Sequence, residues 1–135
     1  MALMTWSQEY SVGVQSIDGQ HSGLFAILND LGDAAAMGKA RQVTGMLLRK
    51  LVDSTNSNFQ VEERLMACTN YPKLIEHRAR HCELTRRVNE FVSRWEKGEA
   101  VIDDQLLAFL RDWLANHIQS DDKQYGPWLN EHGVR

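Results

Sequence analysis

Apolar residues recur at intervals of three or four positions from about Ile17 almost to the end of the chain, and only two prolines are present. This spacing matches the period of an amphipathic helix. We expect an irregular arm from Met1 to about Ile17, followed by four helices. The pattern predicts an all-α fold.

The first two helices have recognisable ends. Asp18 is a suitable N-cap for the first helix, because its carboxylate can accept from the free N–H groups of a first turn. We expect this helix to end near Gly38 and the second to begin just beyond it. The turn at residues 70–72 closes the second helix.

The third and fourth helices are bounded in the same way. Pro72 suits the first turn of the third helix, which Gly98 ends. Asp103 or Asp104 opens the fourth helix. The tail through Pro127 and Trp128 is predicted to be irregular. Short connections between four helices favour an up-down-up-down four-helix bundle with an irregular N-terminal arm.

The size and charge of the chain restrict its class. A chain of 135 residues with 43% hydrophobic content predicts one domain over residues 1–135. The formal net charge of −3 and the scattered Lys and Arg residues argue against nucleic acid as a partner. We find no apolar run long enough to cross a membrane and no secretion signal at the start, so we expect no membrane association and a cytoplasmic protein. Cys68 and Cys82 lack metal-type spacing and are expected to be free, buried thiols.

The inward face of the second helix changes from apolar to polar in its middle, which simple packing does not require. The stripe consists of Leu47, Leu51, Thr55, Asn58, Glu62 and Met66. The third helix presents His77 and His81, four residues apart and therefore on one face. Such a pair alone is more often two hydrogen-bonded core histidines than a metal site.

A metal site becomes the favoured interpretation of the two histidines because Glu62, His117 and His21 fall on the inward stripes of the three other helices. Burying these ionisable groups without a shared cation costs several kcal/mol for each unpaired charge. One or two metal ions would satisfy all of them. Imidazole and carboxylate donors without thiolate suit iron, manganese or zinc.

Two carboxylate assignments require a choice. Glu62 continues the inward stripe, whereas Glu63 is rotated about 100° toward solvent. Asp121 and Asp122 both follow His117 closely, and periodicity does not choose between them.

The ordered set of motifs resembles the hemerythrins, and among them the small single-domain bacteriohemerythrins. The similarity covers nearly the whole chain. It is carried by Trp6, Tyr10 to Val14, Ile17 to His21, Asn58 to Met66, Tyr71-Pro72, His77 with His81, Trp113-Leu114, His117-Ile118 and Asp122-Lys123.

The resemblance implies a four-helix bundle that binds dioxygen reversibly at two iron ions joined by an oxo or hydroxo bridge. By position, His77, His81 and His117 would hold the first iron, and Glu62 and Asp122 would bridge the two irons. The same pattern selects Asp122 over Asp121. His21 would hold the second iron, which keeps an open position for oxygen. An apolar ligand pocket is also implied, and its candidate lining residues are Phe25, Phe59, Leu114 and Ile118, each of which also suits plain core packing.

The sequence departs from the family pattern at Asn58, where a second histidine ligand of the second iron is expected. An amide oxygen is a weaker donor to iron than an imidazole nitrogen. The second ion could be completed by the amide or by water, could bind weakly or be lost, or Asn58 could be a satisfied buried amide beside a vestigial site. A lone buried amide that fixes helix register is a further possibility.

Three functions remain as hypotheses. The first is a non-haem di-iron protein that binds dioxygen for storage, delivery or sensing, with its second iron altered by Asn58. The second is an iron enzyme reacting with peroxide or nitric oxide, for which we find no dedicated general acid or base. The third is a single-metal bundle, or a degenerate bundle that serves as a partner-binding or structural module. We favour retention of both irons in a binding protein over an enzyme. The sequence identifies no redox partner.

Overall fold

Four long helices contain most of the chain. The computed structural model describes residues 2–135, and Met1, the first residue of the predicted arm, lies outside the described residues. The helices are α1 (Gln15–Ala36), α2 (Arg41–Cys68), α3 (Leu74–Glu96) and α4 (Asp104–Asn116). Between residues 2 and 135 there is no strand. The predicted all-α four-helix bundle is confirmed.

The chain continues helically beyond α4. Residues His117–Asp122 form a π-helical turn, and α5 (Lys123–Glu131) follows it directly. The prediction of an irregular tail is therefore wrong. Tyr125 and Leu129 are fully buried, and this burial stabilises a helix that contains Pro127. Tertiary packing outweighs the local signal of Gly126-Pro127 here.

The helices α1, α2 and α3 end in the same hydrogen-bonded motif. Gly38, Asn70 and Gly98 adopt the left-handed conformation, with φ of 66°, 57° and 76°. The N–H of each following residue then bonds back into the last turn, as in Lys39 to the Ala34 carbonyl at 3.0 Å. This motif ends each helix sharply and allows the chain to reverse. The predicted ends near Gly38, at residues 70–72 and at Gly98 agree with it.

The start of α1 differs from the prediction. The helix begins at Gln15 with Val14 as its N-cap, so Asp18 lies inside the first turns and is not the cap. Its carboxylate instead accepts from the Val12 N–H at 2.8 Å and from the Ser11 hydroxyl at 2.6 Å. Asp18 therefore ties the N-terminal arm onto α1.

Two further local predictions are settled. Asp103 caps α4, because its carboxylate accepts from the Leu106 N–H at 2.9 Å. Pro72 lies in the turn just before α3 rather than in its first turn. Cys68 and Cys82 are free thiols but exposed, not buried, because both lie on outward positions of their helices.

Apolar side chains from every helix meet in one core, and Asn58 and Glu62 of the α2 stripe are buried with it. Of the described residues, no helix has both the length and the apolar character that a membrane span requires.

Candidate metal centre

Five ionisable side chains converge in the interior of the bundle. Donor atoms of Glu62, His77, His81, His117 and Asp122 all lie within 4.8 Å of one another, and all five residues are buried. They come from α2, α3 and the π-helical turn. His77 Nε2 lies 2.9 Å from Asp122 Oδ1, and His117 Nε2 lies 3.1 Å from the same oxygen.

These separations have the size expected of ligands around one ion. Two donors that bind a first-row metal at about 2.1 Å and at right angles lie about 3 Å apart. His77 and His81 each place Nε2 3.4 Å from Glu62 Oε1, and the two imidazoles His81 and His117 approach at 3.1 Å through Nε2. Three nitrogens and two oxygens therefore surround one point.

His21 lies on the other side of the two carboxylates. Its Nε2 is 3.1 Å from Glu62 Oε2 and 3.2 Å from Asp122 Oδ2, whereas the α3 and π-turn histidines contact Oε1 and Oδ1. Each carboxylate thus directs one oxygen to each side. Carboxylates arranged in this way could bind one cation on each side.

Hydrogen bonding among the residues alone leaves this cluster unsatisfied. Glu62 Oε1, both carboxylate oxygens of Asp122 and His77 Nε2 are buried without a hydrogen-bond partner, and such orphaned polar atoms are rare in folded proteins. His81 and His117 also direct Nε2 lone pairs at each other when their Nδ1 atoms carry the protons. Cations between these atoms would remove both penalties, so the donor set fits a metal centre.

The π-helical turn explains how His117 and Asp122 share a face. Residues five apart in an α-helix diverge by about 140°, whereas the wider π-turn brings them into line. In the segment His117–Asp122 both terminal residues are buried. The choice between Asp121 and Asp122, which periodicity left open, depends on this local widening.

Glu63 and Asp121 hold the outer nitrogens of two histidines. His81 Nδ1 donates to Glu63 at 2.8 Å, and His117 Nδ1 donates to Asp121 at 2.8 Å. Arginines of α3 support both carboxylates: Arg78 binds Glu63 and Arg80 binds Asp121, each at 3.0 Å. A proton held on Nδ1 leaves Nε2 free to bind a cation.

Sequence reasoning did not find these roles for Glu63 and Asp121. Asp121 follows His117 by four residues, a spacing that places two side chains on neighbouring turns and could have signalled the contact. Glu63 carried no comparable signal, because its partner is on another helix.

Tyr125 of α5 adds a buried hydroxyl that sequence analysis also missed. Its ring centroid is 5.5 Å from that of His77, and its hydroxyl has no hydrogen-bond partner among the described residues. Burial, with the charges of Asp122 and Glu62, raises its pKa well above 10. The side chain is therefore a neutral phenol at any ordinary pH.

Burial and charge act in opposite directions on the histidines. Burial disfavours a protonated His21, but the adjacent carboxylates of Asp122 and Glu62 favour it more strongly and raise the pKa to about 9. At His117 burial is again opposed, by the Asp122 charge and the Asp121 hydrogen bond, and the pKa rises to about 10. Burial alone would raise the pKa of Asp122, yet the charge of His117 and the close approach of three imidazoles hold it well below 3.8. Protons therefore compete with metal ions for this site.

Asn58 is buried, with 2% of its surface exposed. Its Nδ2 donates to Gln20 Oε1 at 2.7 Å. It lies one helical turn before Glu62 in α2, and its partner Gln20 immediately precedes His21 in α1. One amide hydrogen is thus engaged with α1, and Oδ1 is the branch of the amide that could bind a cation.

The four predicted pocket residues lie in different surroundings in the structure. Leu114 lines an apolar cavity of about 40 Å³ between the helices. Phe59 stacks on His81 with ring centroids 3.7 Å apart, and Phe25 packs edge-on against Tyr10. Ile118 is fully buried. Trp113 stacks on His117 at 4.4 Å, so aromatic rings fix two of the imidazoles.

The fold and the cluster define the class first: a four-helix-bundle metal-binding protein with a histidine and carboxylate centre. The family model described as "Hemerythrin HHE cation binding domain" matches residues 12–129. The chain belongs to the hemerythrin family. It shares the family's character as a non-haem, oxygen-binding iron protein, and a di-iron centre is the family's cofactor.

Individual relatives agree with this assignment. The chain is 37% identical over 131 residues to bacteriohemerythrin of Methylococcus capsulatus, covering 96% of this chain and 99% of that protein. It is 38% identical over 125 residues to bacteriohemerythrin of Pseudomonas aeruginosa, covering 93% and 80%. It is also 32% identical over 120 residues to myohemerythrin of Riftia pachyptila, covering 89% and 88%. A crystal structure of wild-type hemerythrin superposes with a TM-score of 0.91 at 37% identity, covering 95% of this chain and 98% of that one.

Proposed function

We propose that this protein binds dioxygen at a di-iron centre whose second iron keeps an exchangeable position because Asn58 stands where an imidazole ligand is expected. The observation that supports this most directly is the division of the carboxylate oxygens. Glu62 and Asp122 present Oε1 and Oδ1 to three histidines, and Oε2 and Oδ2 to His21. A centre for one ion would not need this division.

The two iron positions differ in their ligands. His77, His81 and His117, with one oxygen of each carboxylate, would hold the first iron. His21, with the other two oxygens, would hold the second. Iron supplies the electrons and the open coordination position at which dioxygen binds. The chain supplies the ligands, their orientation and an apolar surround that limits proton delivery.

The first position is the more rigid of the two. Glu63 and Asp121 fix the Nδ1 protons of His81 and His117, while Phe59 and Trp113 stack on their rings. The second position has one imidazole, and Asn58 offers a neutral amide oxygen, a weak ligand for iron. We therefore expect the second iron to exchange its added ligand readily.

Iron loading tests the proposal. The protein is loaded with ferrous iron under reducing conditions, iron per chain is measured by elemental analysis, and the absorption spectrum is recorded after oxygenation. We expect two irons per chain and charge-transfer bands in the near-ultraviolet and visible. One iron per chain, or a colourless protein, would contradict the proposal.

The variant Asn58→His separates reversible binding from peroxide or nitric oxide chemistry, the alternative that an exchangeable iron position favours. If Asn58 is the cause of altered chemistry, the variant oxidises more slowly in air than the natural chain. A natural chain that turns over added peroxide, with turnover lost in Asn58→His at unchanged iron content, would favour the enzymatic alternative. Identical autoxidation of the two proteins would remove Asn58 from the explanation.

A further inference from the structure

A cleft with a mixed lining lies on the surface between α1 and α2 and has a volume of about 370 Å³. Gly23, Leu24 and Ile27 form the apolar part of its wall, and its polar lining comes from Gln20, Asp53, Ser54, Ser57 and Asn58. Ser57 and Asp53 are exposed, Gln20 is partly buried and Asn58 is buried. The amide of Asn58 is therefore the deepest polar group of the cleft.

The hydrogen bond between Asn58 and Gln20 joins the two helices at the bottom of this cleft. Asn58 Nδ2 lies 2.7 Å from Gln20 Oε1. Gln20 immediately precedes His21 in α1, and Asn58 precedes Glu62 by one turn of α2. Both partners of the bond are thus close in sequence to ligand candidates of the cluster. The Nδ1 atom of His21 is itself buried without a hydrogen-bond partner.

The lining indicates which molecules the cleft admits. Hydroxyl and amide groups hydrogen-bond to small polar molecules, and the carboxylate of Asp53 disfavours anions. The apolar cavity that Leu114 lines is bounded mainly by aliphatic side chains and offers such molecules little compensation for lost hydration. Because Leu24 and Ile27 make part of the wall apolar, the class that fits the cleft is small and uncharged and hydrogen-bonds to its few polar groups, as water and hydrogen peroxide do.

We propose that the Gln20–Asn58 amide pair controls the access of water and hydrogen peroxide from this cleft to the second iron. This inference rests on the proposed function, since it requires a second metal ion beside His21. Gln20 acts here as a positioning residue: its carbonyl holds the Asn58 amide across the bottom of the cleft. On this proposal Asn58 provides both a weak ligand for the second iron and a polar path to that iron.

Water exchange at a bound ion can be measured without any reaction. The protein is loaded with Mn²⁺, metal per chain is counted, and the relaxation rate of water protons is recorded. In Gln20→Ala the side chain and its hydrogen bond are gone, and we expect water relaxation to increase several-fold. In Gln20→Leu a shorter, branched and apolar side chain occupies part of the space without a hydrogen bond to Asn58, and we expect water relaxation to fall.

Gln42→Leu is the matched control, since Gln42 is exposed on α2 and lies roughly 24 Å from Asn58 along the helix at about 1.5 Å per residue. It should relax water as the natural chain does. Circular dichroism verifies that each variant folds.

Reaction with hydrogen peroxide gives a second readout on the iron-loaded, reduced protein. Each peroxide takes one electron from each of two ferrous ions, its O–O bond breaks, and two hydroxide ions form. The reaction should be fastest in Gln20→Ala, slower in the natural chain and slowest in Gln20→Leu. If peroxide reaction rates and water relaxation are identical in all variants, with two metals per chain, the Gln20–Asn58 pair does not control access. The proposed function would then remain intact. Fewer than two metals in the natural chain would instead contradict the proposed function itself.

Discussion

At the scale of single residues, the centre depends on side chains that have two usable ends. Glu62 and Asp122 direct their paired oxygens to opposite sides, and His81 and His117 direct Nδ1 outward and Nε2 inward. A side chain with a single polar atom at any of these positions would make only half of these contacts. The outer contacts are therefore part of the ligand geometry.

Removing the charge of the outer carboxylates tests this directly. In Glu63→Gln and Asp121→Asn the shape is kept, but the acceptor for the imidazole Nδ1–H loses its negative charge. We predict that iron affinity falls by roughly 10- to 100-fold in each variant. Competition with a ferrous chelator under anaerobic conditions measures the change.

Glu90→Gln is the control for these variants, because Glu90 is exposed and pairs only with Arg86 among the contacts the structure describes. It should bind iron like the natural chain. Unchanged affinity in Glu63→Gln and Asp121→Asn would show that these carboxylates do not orient the ligands.

Sequence patterns identified the inward histidines and Glu62 because each lies on an apolar stripe with helical spacing. They could not decide between Asp121 and Asp122, because the deciding feature is a π-helical turn that five-residue spacing alone does not reveal. They also assigned Glu63 to solvent, although it is only partly exposed and binds His81. Contacts between side chains of different helices leave no periodic trace.

At the scale of elements, the long helices could be predicted from periodicity and from their ends, whereas α5 could not. Its sequence contains Gly126 and Pro127, which are strong breakers in isolation. The structure keeps the helix because Tyr125 and Leu129 enter the core and Trp128 donates from Nε1 to the Thr69 carbonyl at 3.2 Å. These contacts depend on the assembled bundle.

Gly126 gives a test of how α5 seats against the N-terminal arm. A Cβ at this position would overlap the Val12 carbonyl, which is backbone and cannot turn away. We predict that Gly126→Ala destabilises the protein by about 1–3 kcal/mol, as overpacking does elsewhere. Thermal unfolding of the iron-loaded protein, followed by circular dichroism, measures the loss.

Gly19→Ala is the matched glycine variant, since no atom lies within 4 Å of its added Cβ. Alanine in a helix is favoured over glycine by roughly 0.5–1 kcal/mol, so stability should be kept or increased. Equal stability of the two variants would argue that α5 does not pack closely on Val12.

At the scale of the whole molecule, protons and metal ions stabilise the same fold in different pH ranges. The pKa of His21 is raised from 6.5 to about 9 and that of His117 to about 10. Raised values mean that these groups stabilise the metal-free fold fully below pH 6.5 and lose this contribution as pH rises through 9 and 10. Glu62, whose burial is outweighed by its histidine contacts, has a pKa below 4.5, and its contribution is lost as the solution becomes more acidic.

We therefore predict that metal-free protein becomes less stable as pH rises from 6.5 toward 9, while the stabilisation given by bound metal increases because fewer protons must be displaced. Calorimetric unfolding of the metal-free and metal-loaded protein across this range measures both trends. A gap between their melting temperatures that shrinks with rising pH would contradict the ligand roles of His21 and His117.

Diffraction at the iron absorption edge examines the central claim most directly. Crystals of the iron-loaded protein should show two anomalous peaks between Glu62 and Asp122, one beside His77, His81 and His117 and the other beside His21. A single peak among the three histidines, or none between the carboxylates, would contradict a di-iron centre in this chain.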